Sequence, residues 1–269
     1  MSAFAGRVSE LAGVDPDRLE RLAGGDLSEV LLVRRSDGHL SVAKGGPSVS
    51  TEASMLRTIA GLGIAAPVVE AEYDGVLLLE HVENDGLFSE NSWADIGRQL
   101  ARLHARSADE YGWPVDYAIG TVQLDNRQGA DWPRFWGEQR LLSTASVLDR
   151  PWRERVERLV AQLGSRLPLL PLPSLLHGDL WSGNILVSDG RVAALIDPAC
   201  YHGHREVDLA MLCLFDSPPP AFWDCYGGLE PGWEERRPIY QLFPALVHLR
   251  LLGTAYAAMV DQLLTEVGA

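Results

Sequence analysis

Three oxygen-bearing side chains fall close together in the second half of this 269-residue chain: Asp179, Asn184 and Asp197. Asp179 and Asn184 are separated by the loop Leu180-Trp181-Ser182-Gly183, and Asp197 follows two strand-like runs, Ile185–Val187 and Val192–Ile196. Ser188-Asp189-Gly190-Arg191 between those runs has turn chemistry, so the runs predict a tight hairpin. Asn184 enters the open end of that hairpin and Asp197 leaves it, which lets both side chains converge on one point. An Asn and an Asp there supply hard oxygen ligands of the kind Mg2+ prefers, with nucleotide phosphates and water completing its octahedron. Asp179 is then a spare carboxylate, able to accept a hydroxyl proton as that oxygen attacks phosphorus. Taken singly, Asp-Gly and Ser-Gly-Asn pieces mark turns; their spacing around one hairpin is what points to chemistry.

The elements that must carry these residues divide in style. Val30–Val33 is β-rich, and Leu40, Val42 and Lys44 alternate with Ser41 and Ala43 beyond the turn Ser36-Asp37-Gly38. From Thr51 the period changes: Glu52, Met55, Leu56, Ile59 and Leu62 recur every three or four residues, which predicts a helix. A strand pair follows around Asp74-Gly75, including the apolar run Val76–Leu79. After Glu80 the pattern turns helical. Ser92-x-x-Asp95 resembles a capping box, opening a helix whose stripe Trp93, Ile96, Leu100 and Leu103 ends near His104. Further helices are predicted over Pro133–Val147 and Arg153–Leu163, and Pro168, Pro171 and Pro173 interrupt the chain before the central stretch. The outline is an α+β protein. It has a small β-rich lobe (residues 1–82), a hinge near residues 81–86 and a larger, mainly helical lobe (residues 83–269).

Composition limits the partners. Lys and Arg total 23 against 37 Asp and Glu, a formal charge of −14, which opposes diffuse attraction to nucleic acid or anionic lipid. The first residues show no basic region followed by an apolar run. In the apolar stretch Leu242–Val260, Pro244, His248 and Arg250 interrupt any membrane span, so a buried C-terminal helix is expected. Cys200, Cys213 and Cys225 are an odd number and suit a reducing, cytoplasmic setting. Cys200, His202 and His204 crowd one short loop without a second cluster, which argues against structural zinc.

The spacing of Asp179, Asn184 and Asp197 matches the protein-kinase arrangement H-R-D-x4-N…D-F-G, here His177-Gly178-Asp179, Asn184 and Asp197-Pro198-Ala199. With Trp181, Cys200-Tyr201 and His204-Arg205-Glu206-Val207-Asp208-Leu209-Ala210, the stretch resembles the fructosamine kinase (ketosamine 3-kinase) family. That family lies within the protein-kinase-like, aminoglycoside-phosphotransferase-like superfamily. Tyr111-Gly112-Trp113, Asp131-Trp132, Phe135-Trp136, Glu138, Arg140, Tyr240, Leu242 and His248 extend the resemblance over most of the chain. It implies a bilobal protein-kinase-like fold using ATP and Mg2+. It implies Asp179 as base, Asn184 and Asp197 as metal ligands, and His177 and Asp208 as structural support, Asp208 accepting backbone N–H groups of the catalytic loop. The implied reaction is phosphorylation of a sugar hydroxyl on ketosamines, the fructosamine or ribulosamine adducts of amines, amino acids or proteins. The unstable products decompose, so the implied role is deglycation. The alternative in the same fold is phosphotransfer to an aminoglycoside, choline or another amino-alcohol. The expected partner is a small ketosamine or glycated protein, with neither nucleic acid nor membrane, and the expected state is a monomer or weak dimer.

The resemblance also predicts a lysine on the third strand of the small lobe, paired with a glutamate on the next helix. Lys44 ends an alternating strand, and Glu52 shares an apolar helical face, where an unpaired charge is costly. Standing alone, they also read as a solvated strand end and a first-turn acid. Gly24-Gly25 could bring backbone N–H groups to phosphate oxygens, and a plain tight turn explains the pair nearly as well. Eukaryotic members often carry a cysteine in that loop; none stands here, so no redox switch is expected there. Position in the fold assigns the adenine edge to the backbone at Glu80 and Val82. By family likeness Trp181 and His248 face the acceptor, although His248 equally suits a satisfied core position. Trp132 and Trp136, one turn apart, suit helix packing.

Overall fold

The computed structural model describes residues 2–22 and 29–269. Helix α1 (Ala3–Ala12) precedes strand β1 (Leu19–Arg21), and β2 (Val30–Arg34) and β3 (Leu40–Gly45) form the first hairpin. Helix α2 (Val49–Gly61) leads to the second hairpin, β4 (Val69–Tyr73) and β5 (Val76–Glu80). The five strands make one antiparallel sheet in the order β1-β2-β3-β5-β4. At the second turn Asp74 and Gly75 both have positive φ (46° and 72°), the backbone of a primed hairpin turn, which glycine adopts without steric cost.

The unbroken apolar run of β5 reflects burial on both faces of the sheet. Val76 and Leu78 pack with Phe4 and Val8 of α1 and with Leu31, Val33 and Ala43. Leu77 and Leu79 pack with Val49, Ala53 and Leu56 of α2. A strand covered on one face only would alternate. Each such side chain contributes about 1.5–3 kcal/mol when taken fully out of water.

The helical part begins with α3 (Glu90–His104) and a small hairpin, β6 (Tyr117–Ile119) and β7 (Val122–Leu124). Helix α4 (Trp132–Phe135) runs through a π-helical segment, Trp136–Leu142, into α5 (Ser143–Ala145). The predicted helix over 133–147 is therefore wider in its middle turns than an α-helix. Helices α6 (Arg150–Val160) and α7 (Leu163–Arg166) follow; Pro151 fits the first turn of α6, which starts earlier than predicted. Next come β8 (Ser174–Leu176), the hairpin β9 (Ile185–Ser188) and β10 (Arg191–Leu195), and β11 (Tyr201–Gly203), which pairs with β8. Helices α8 (Glu206–Phe215), α9 (Pro220–Tyr226), α10 (Trp233–Leu252) and α11 (Ala257–Glu266) complete the chain.

One large core joins these elements, with Trp132 and Trp136 fully buried at its centre, as helix packing predicts. Arg140 is buried among them. Its guanidinium lies 4.1 Å from the Tyr201 ring centroid and donates to the Asp125 carbonyl and Asn126 Oδ1, each at 2.7 Å. The hydrogen bonds and the aromatic faces make burial of that charge tolerable.

Two expectations are corrected. The capping box of α3 is Ser89 with Ser92, not Ser92 with Asp95: Ser89 Oγ accepts the Ser92 N–H (3.2 Å), and Ser92 Oγ accepts the Ser89 N–H (2.7 Å). Asp95 sits too deep in the helix to cap it and instead accepts the Val192 N–H at 3.0 Å, tying α3 to the central hairpin. The expected helix over Leu242–Val260 is two helices. Gly253 (φ 79°) ends α10, and a 3-10 turn, Gly253–Tyr256, precedes α11. The stretch Trp233–Glu266 is long and apolar enough by length and composition to cross a membrane. Within the fold, Leu242, Leu246 and Val247 are buried in the core, whereas residues 252–255 are exposed, so only the first half of Leu242–Val260 is the buried helix expected.

Candidate active site

The hairpin β9–β10 places Asn184 and Asp197 at its open end, as its turn chemistry predicted. Asn184 closes a 3-10 turn, Ser182–Asn184, and its carbonyl accepts the Ile196 N–H at 3.0 Å. Its amide nitrogen donates to both the backbone carbonyl (2.8 Å) and the carboxylate Oδ2 (3.0 Å) of Asp179. That commits the nitrogen and leaves the amide oxygen as the atom able to ligate a metal. Asp197 has φ 54°, an uncommon conformation for a non-glycine residue and one that turns the chain sharply out of the hairpin.

Lys44 reaches this point from the end of β3. Its Nζ lies 2.6 Å from Glu52 Oε1 and 2.7 Å from Asp197 Oδ1, so sheet, helix α2 and hairpin meet at one ammonium. Burial opposes the Lys44 charge, but the Glu52 and Asp197 carboxylates outweigh it and hold its pKa above the ordinary value. Glu52 lies on the buried face of α2 beside Met55, Leu56 and Ile59. The paired reading of Lys44 and Glu52 thus holds over the solvated one.

The loop carrying Asp179 is braced from below. Asp208, fully buried in α8, accepts the backbone N–H groups of His177 (2.7 Å) and Gly178 (2.9 Å) and a bond from His104 Nε2 (3.1 Å). Burial disfavours its charge, yet the His104 hydrogen bond and these N–H groups hold its pKa below the ordinary carboxylate value. His177 Nε2 bonds the Ile196 carbonyl at 3.0 Å, and burial lowers its pKa, which keeps the ring neutral. Gly178 is required twice over: its φ is 83°, and a Cβ would lie 2.1 Å from the Ala199 carbonyl oxygen. The Asp179 pKa is pushed up to about 7, first by burial and then by the neighbouring Asp197 and Asp208 charges, while the Asn184 hydrogen bond opposes the rise.

A cavity of about 170 Å3 opens onto this cluster, lined by Lys44, Glu52, Asp179, Asp197, the segment Gly45–Val49 and Tyr117 of the small hairpin. Larger clefts exist, one of about 470 Å3 around Arg106, Trp113 and His202, but none of the Lys44, Asp179 and Asp197 chemistry lines it. Tyr117 was not singled out from sequence; the alternation Tyr117–Ile119 and Val122–Leu124 around Gly120 marks its hairpin but not its destination. Burial and the Glu52, Asp197 and Asp179 charges raise its pKa, keeping the phenol protonated. His104 and Asp216 were also missed: each is one polar residue on a helix or helix end, with no motif around it.

The remaining expected site residues are spread more widely. Glu80 ends β5, donates its N–H to the Val68 carbonyl (2.9 Å) and accepts the Val68 N–H on its carboxylate (3.2 Å). His81 N–H bonds the Leu40 carbonyl (3.2 Å), and the Val82 carbonyl accepts Asn84 Nδ2 (3.3 Å), so both residues lie on the connection leaving the sheet. Gly24 and Gly25 lie outside the described residues. Trp181 is 39% exposed, covers Gly183 and meets Phe215 edge-on at 6.1 Å. Phe215 in turn packs 4.9 Å from His248, whose Nδ1 bonds the Pro244 carbonyl at 2.8 Å. Trp181 and His248 are thereby brought to one aromatic row. Cys200 is buried, and its thiol pKa is raised well above the ordinary value, which makes it unreactive. Among the described residues His204, Glu206 and Glu230 come within 4.8 Å of one another, but Arg236 already pairs with Glu206 at 2.6 Å.

A sequence model for the fructosamine kinases matches residues 17–268. The chain belongs to the fructosamine kinase family. Family relatives include a probable ketoamine kinase of Enterococcus faecium, 36% identical over 72% of this chain and 73% of that one. A protein-ribulosamine 3-kinase of Arabidopsis thaliana is 30% identical over 71% of this chain and 61% of its own length. The crystal structure of a fructosamine-3-kinase candidate from Thermobifida fusca superposes with a TM-score of 0.87 at 30% identity, covering 98% of both chains. A streptomycin- and ATP-bound aminoglycoside phosphotransferase, 16% identical, covers 98% of this chain and 96% of its own with a TM-score of 0.66, and shows the fold alone. The five-stranded sheet and the helical part are the two lobes of that kinase-like fold.

Proposed function

We propose that the protein transfers the γ-phosphoryl group of ATP to a sugar hydroxyl of a ketosamine, and that the amine is released when the product decomposes. The observation that carries this reading is the meeting of Lys44, Glu52, Asp179 and Asp197 at one cavity, with Asn184 bonded to Asp179 behind it, in a chain of this family. The donor set fits Mg2+: a carboxylate on Asp197 and an amide oxygen on Asn184 are hard ligands, with phosphate and water completing the shell. When bound, that ion neutralises phosphate charge and aligns the phosphoryl group.

The chain's own residues do the rest. Lys44, held charged by two carboxylates, contacts the α/β-phosphates, and Glu52 orients it. The backbone at Glu80 and Val82 holds the adenine edge, and Trp181 and His248 face the acceptor. Asp179 accepts the acceptor's hydroxyl proton on its carboxylate as that oxygen attacks phosphorus; a pKa near working pH suits a general base. The nucleotide-binding lobe ends at Val82 and the catalytic lobe spans 83–269. The protein works in the cytoplasm as a monomer or weak dimer, on small ketosamines or glycated proteins.

The test is Mg·ATP turnover against fructoselysine and ribuloselysine, with Asp179→Asn as control. Ketosamine-dependent ADP release by the wild type alone supports the proposal. Turnover of kanamycin or choline only would move the assignment to small-molecule phosphotransfer of the other kind, and equal rates for wild type and variant would remove Asp179 from the mechanism.

A further inference from the structure

At the C-terminal end of α8, Asp216 Oδ2 accepts the Ser182 backbone N–H at 2.9 Å. Ser182 follows Trp181 directly, on the loop that carries Asp179. Phe215, next to Asp216, packs against Trp181 at 6.1 Å and against His248 at 4.9 Å, and His248 packs against Tyr256 at 4.9 Å. The result is a row of four aromatic rings with one carboxylate at its Trp181 end, bonded to the loop that carries the proposed base.

The fold does not ask for that charge. A carboxylate at a helix C-terminus meets the negative end of the dipole and is unfavourable there. An asparagine would accept the Ser182 N–H equally well through its amide oxygen. What the negative charge adds is attraction for a cation, and aromatic faces attract the same species. Burial lowers the His248 pKa, so its ring brings no competing positive charge to the row. A ketosamine carries one ammonium, on the carbon next to its carbonyl, and one carboxylate suits it; aminoglycosides carry several. One oxygen of Asp216 stays on Ser182, and the other has lone pairs for an N–H donor.

We propose that Asp216, with the row Trp181, Phe215, His248 and Tyr256, forms the subsite that reads the ammonium of the acceptor, making Asp216 a specificity-determining residue. This rests on the ketosamine reading above.

Asp216→Asn separates charge from loop support. The KM for an N-alkyl ketosamine is expected to rise about 10- to 100-fold, the loss of one charged hydrogen bond. The KM for ATP and kcat should hold, and so should the KM for a neutral 1-O-alkyl ketose of the same sugar. Tryptophan fluorescence titration with the ketosamine, without ATP, should weaken by the same factor. Asp216→Ala, which also frees Ser182, should lower kcat for both acceptors. If Asp216→Asn treats the charged and neutral acceptors alike, or changes the KM for ATP, Asp216 is a loop brace and the subsite is wrong. A wild type that turns over the ketosamine while Asp216→Asn is indifferent overturns the subsite alone. A wild type inert toward every ketosamine overturns the functional reading and the subsite together.

Discussion

Lys44 Nζ lies 2.7 Å from Asp197 Oδ1 although 153 residues separate them along the chain. The same ammonium is 2.6 Å from Glu52, so one cation ties the small lobe's sheet and helix to the hairpin of the large lobe. Lys44→Met should abolish measurable turnover and leave Glu52, only 8% exposed, without its partner. Removing one member of a buried pair costs about 3–5 kcal/mol. The isolated Glu52 carboxyl can escape by taking up a proton, since burial already pushes its pKa up. Its folded pKa then exceeds the unfolded one, so the variant's deficit should shrink as pH falls toward 5 and widen toward 8. Urea unfolding at the two pH values checks this; equal deficits would show that Glu52 does not depend on Lys44.

The Asp179 carboxyl, pushed up to about 7, ties rate and stability to the same proton. For the wild type, kcat/KM should fall as pH drops through this range, because the protonated acid cannot accept the hydroxyl proton. A divalent cation on Asp197 and Asn184 should move that limb to lower pH. Asp179→Asn should slow turnover by about 10²–10⁴-fold, the usual share of general base catalysis.

The same variant should be more stable than the wild type in alkali. The raised folded pKa means that ionising Asp179 costs folding free energy as pH rises through about 7, and asparagine carries no such charge. The gain has an upper bound of about 4 kcal/mol, from three pKa units at 1.36 kcal/mol each. It should be present at pH 8.5 and nearly gone at pH 4, in denaturant titrations at both. A variant less stable at pH 8.5 would mean that Asp179 serves the fold.

Gly178→Ala meets both a positive φ and a Cβ position 2.1 Å from the Ala199 carbonyl oxygen. Backbone on both sides leaves no flexible partner to yield. A loss of about 2 kcal/mol or more is expected, with a lower kcat because the strain falls one residue from Asp179. Thermal unfolding and steady-state kinetics together check this, and an unchanged kcat would show that the loop relaxes elsewhere.

His104→Phe tests the brace beneath the loop. It removes the 3.1 Å bond to Asp208 and the 2.8 Å bond to the Tyr226 hydroxyl while filling much of the same volume, so Asp208 keeps its two backbone donors but loses its side-chain partner. The expected cost is about 1–3 kcal/mol, with kcat reduced and the KM for ATP unchanged. A change in the KM for ATP alone would place the effect outside the Asp179 loop.

Much of this was legible before any coordinates. Asp179, Asn184 and Asp197 sit on one hairpin and one short loop, where spacing along the chain nearly equals spacing in space. The strands around Asp37-Gly38 and Asp74-Gly75 were equally local, because turn chemistry and alternation act over a few residues. Reading failed where a choice among near-equal local options was settled elsewhere. The cap of α3 is Ser89 because the chain enters there from the hinge, and Asp95 is drawn to Val192 of a distant strand. Gly253 breaks the apolar run that looked like one helix.

The sequence by itself determined the chemistry: which residues could hold a metal, take a proton or pair with a buried carboxylate, and the family that shares them. Only the tertiary structure decided who stands beside them. Tyr117 lining the cavity, His104 under Asp208 and Asp216 on Ser182 are single residues whose neighbours lie far along the chain. No local pattern marks such contacts, because they arise when separate elements pack into one core.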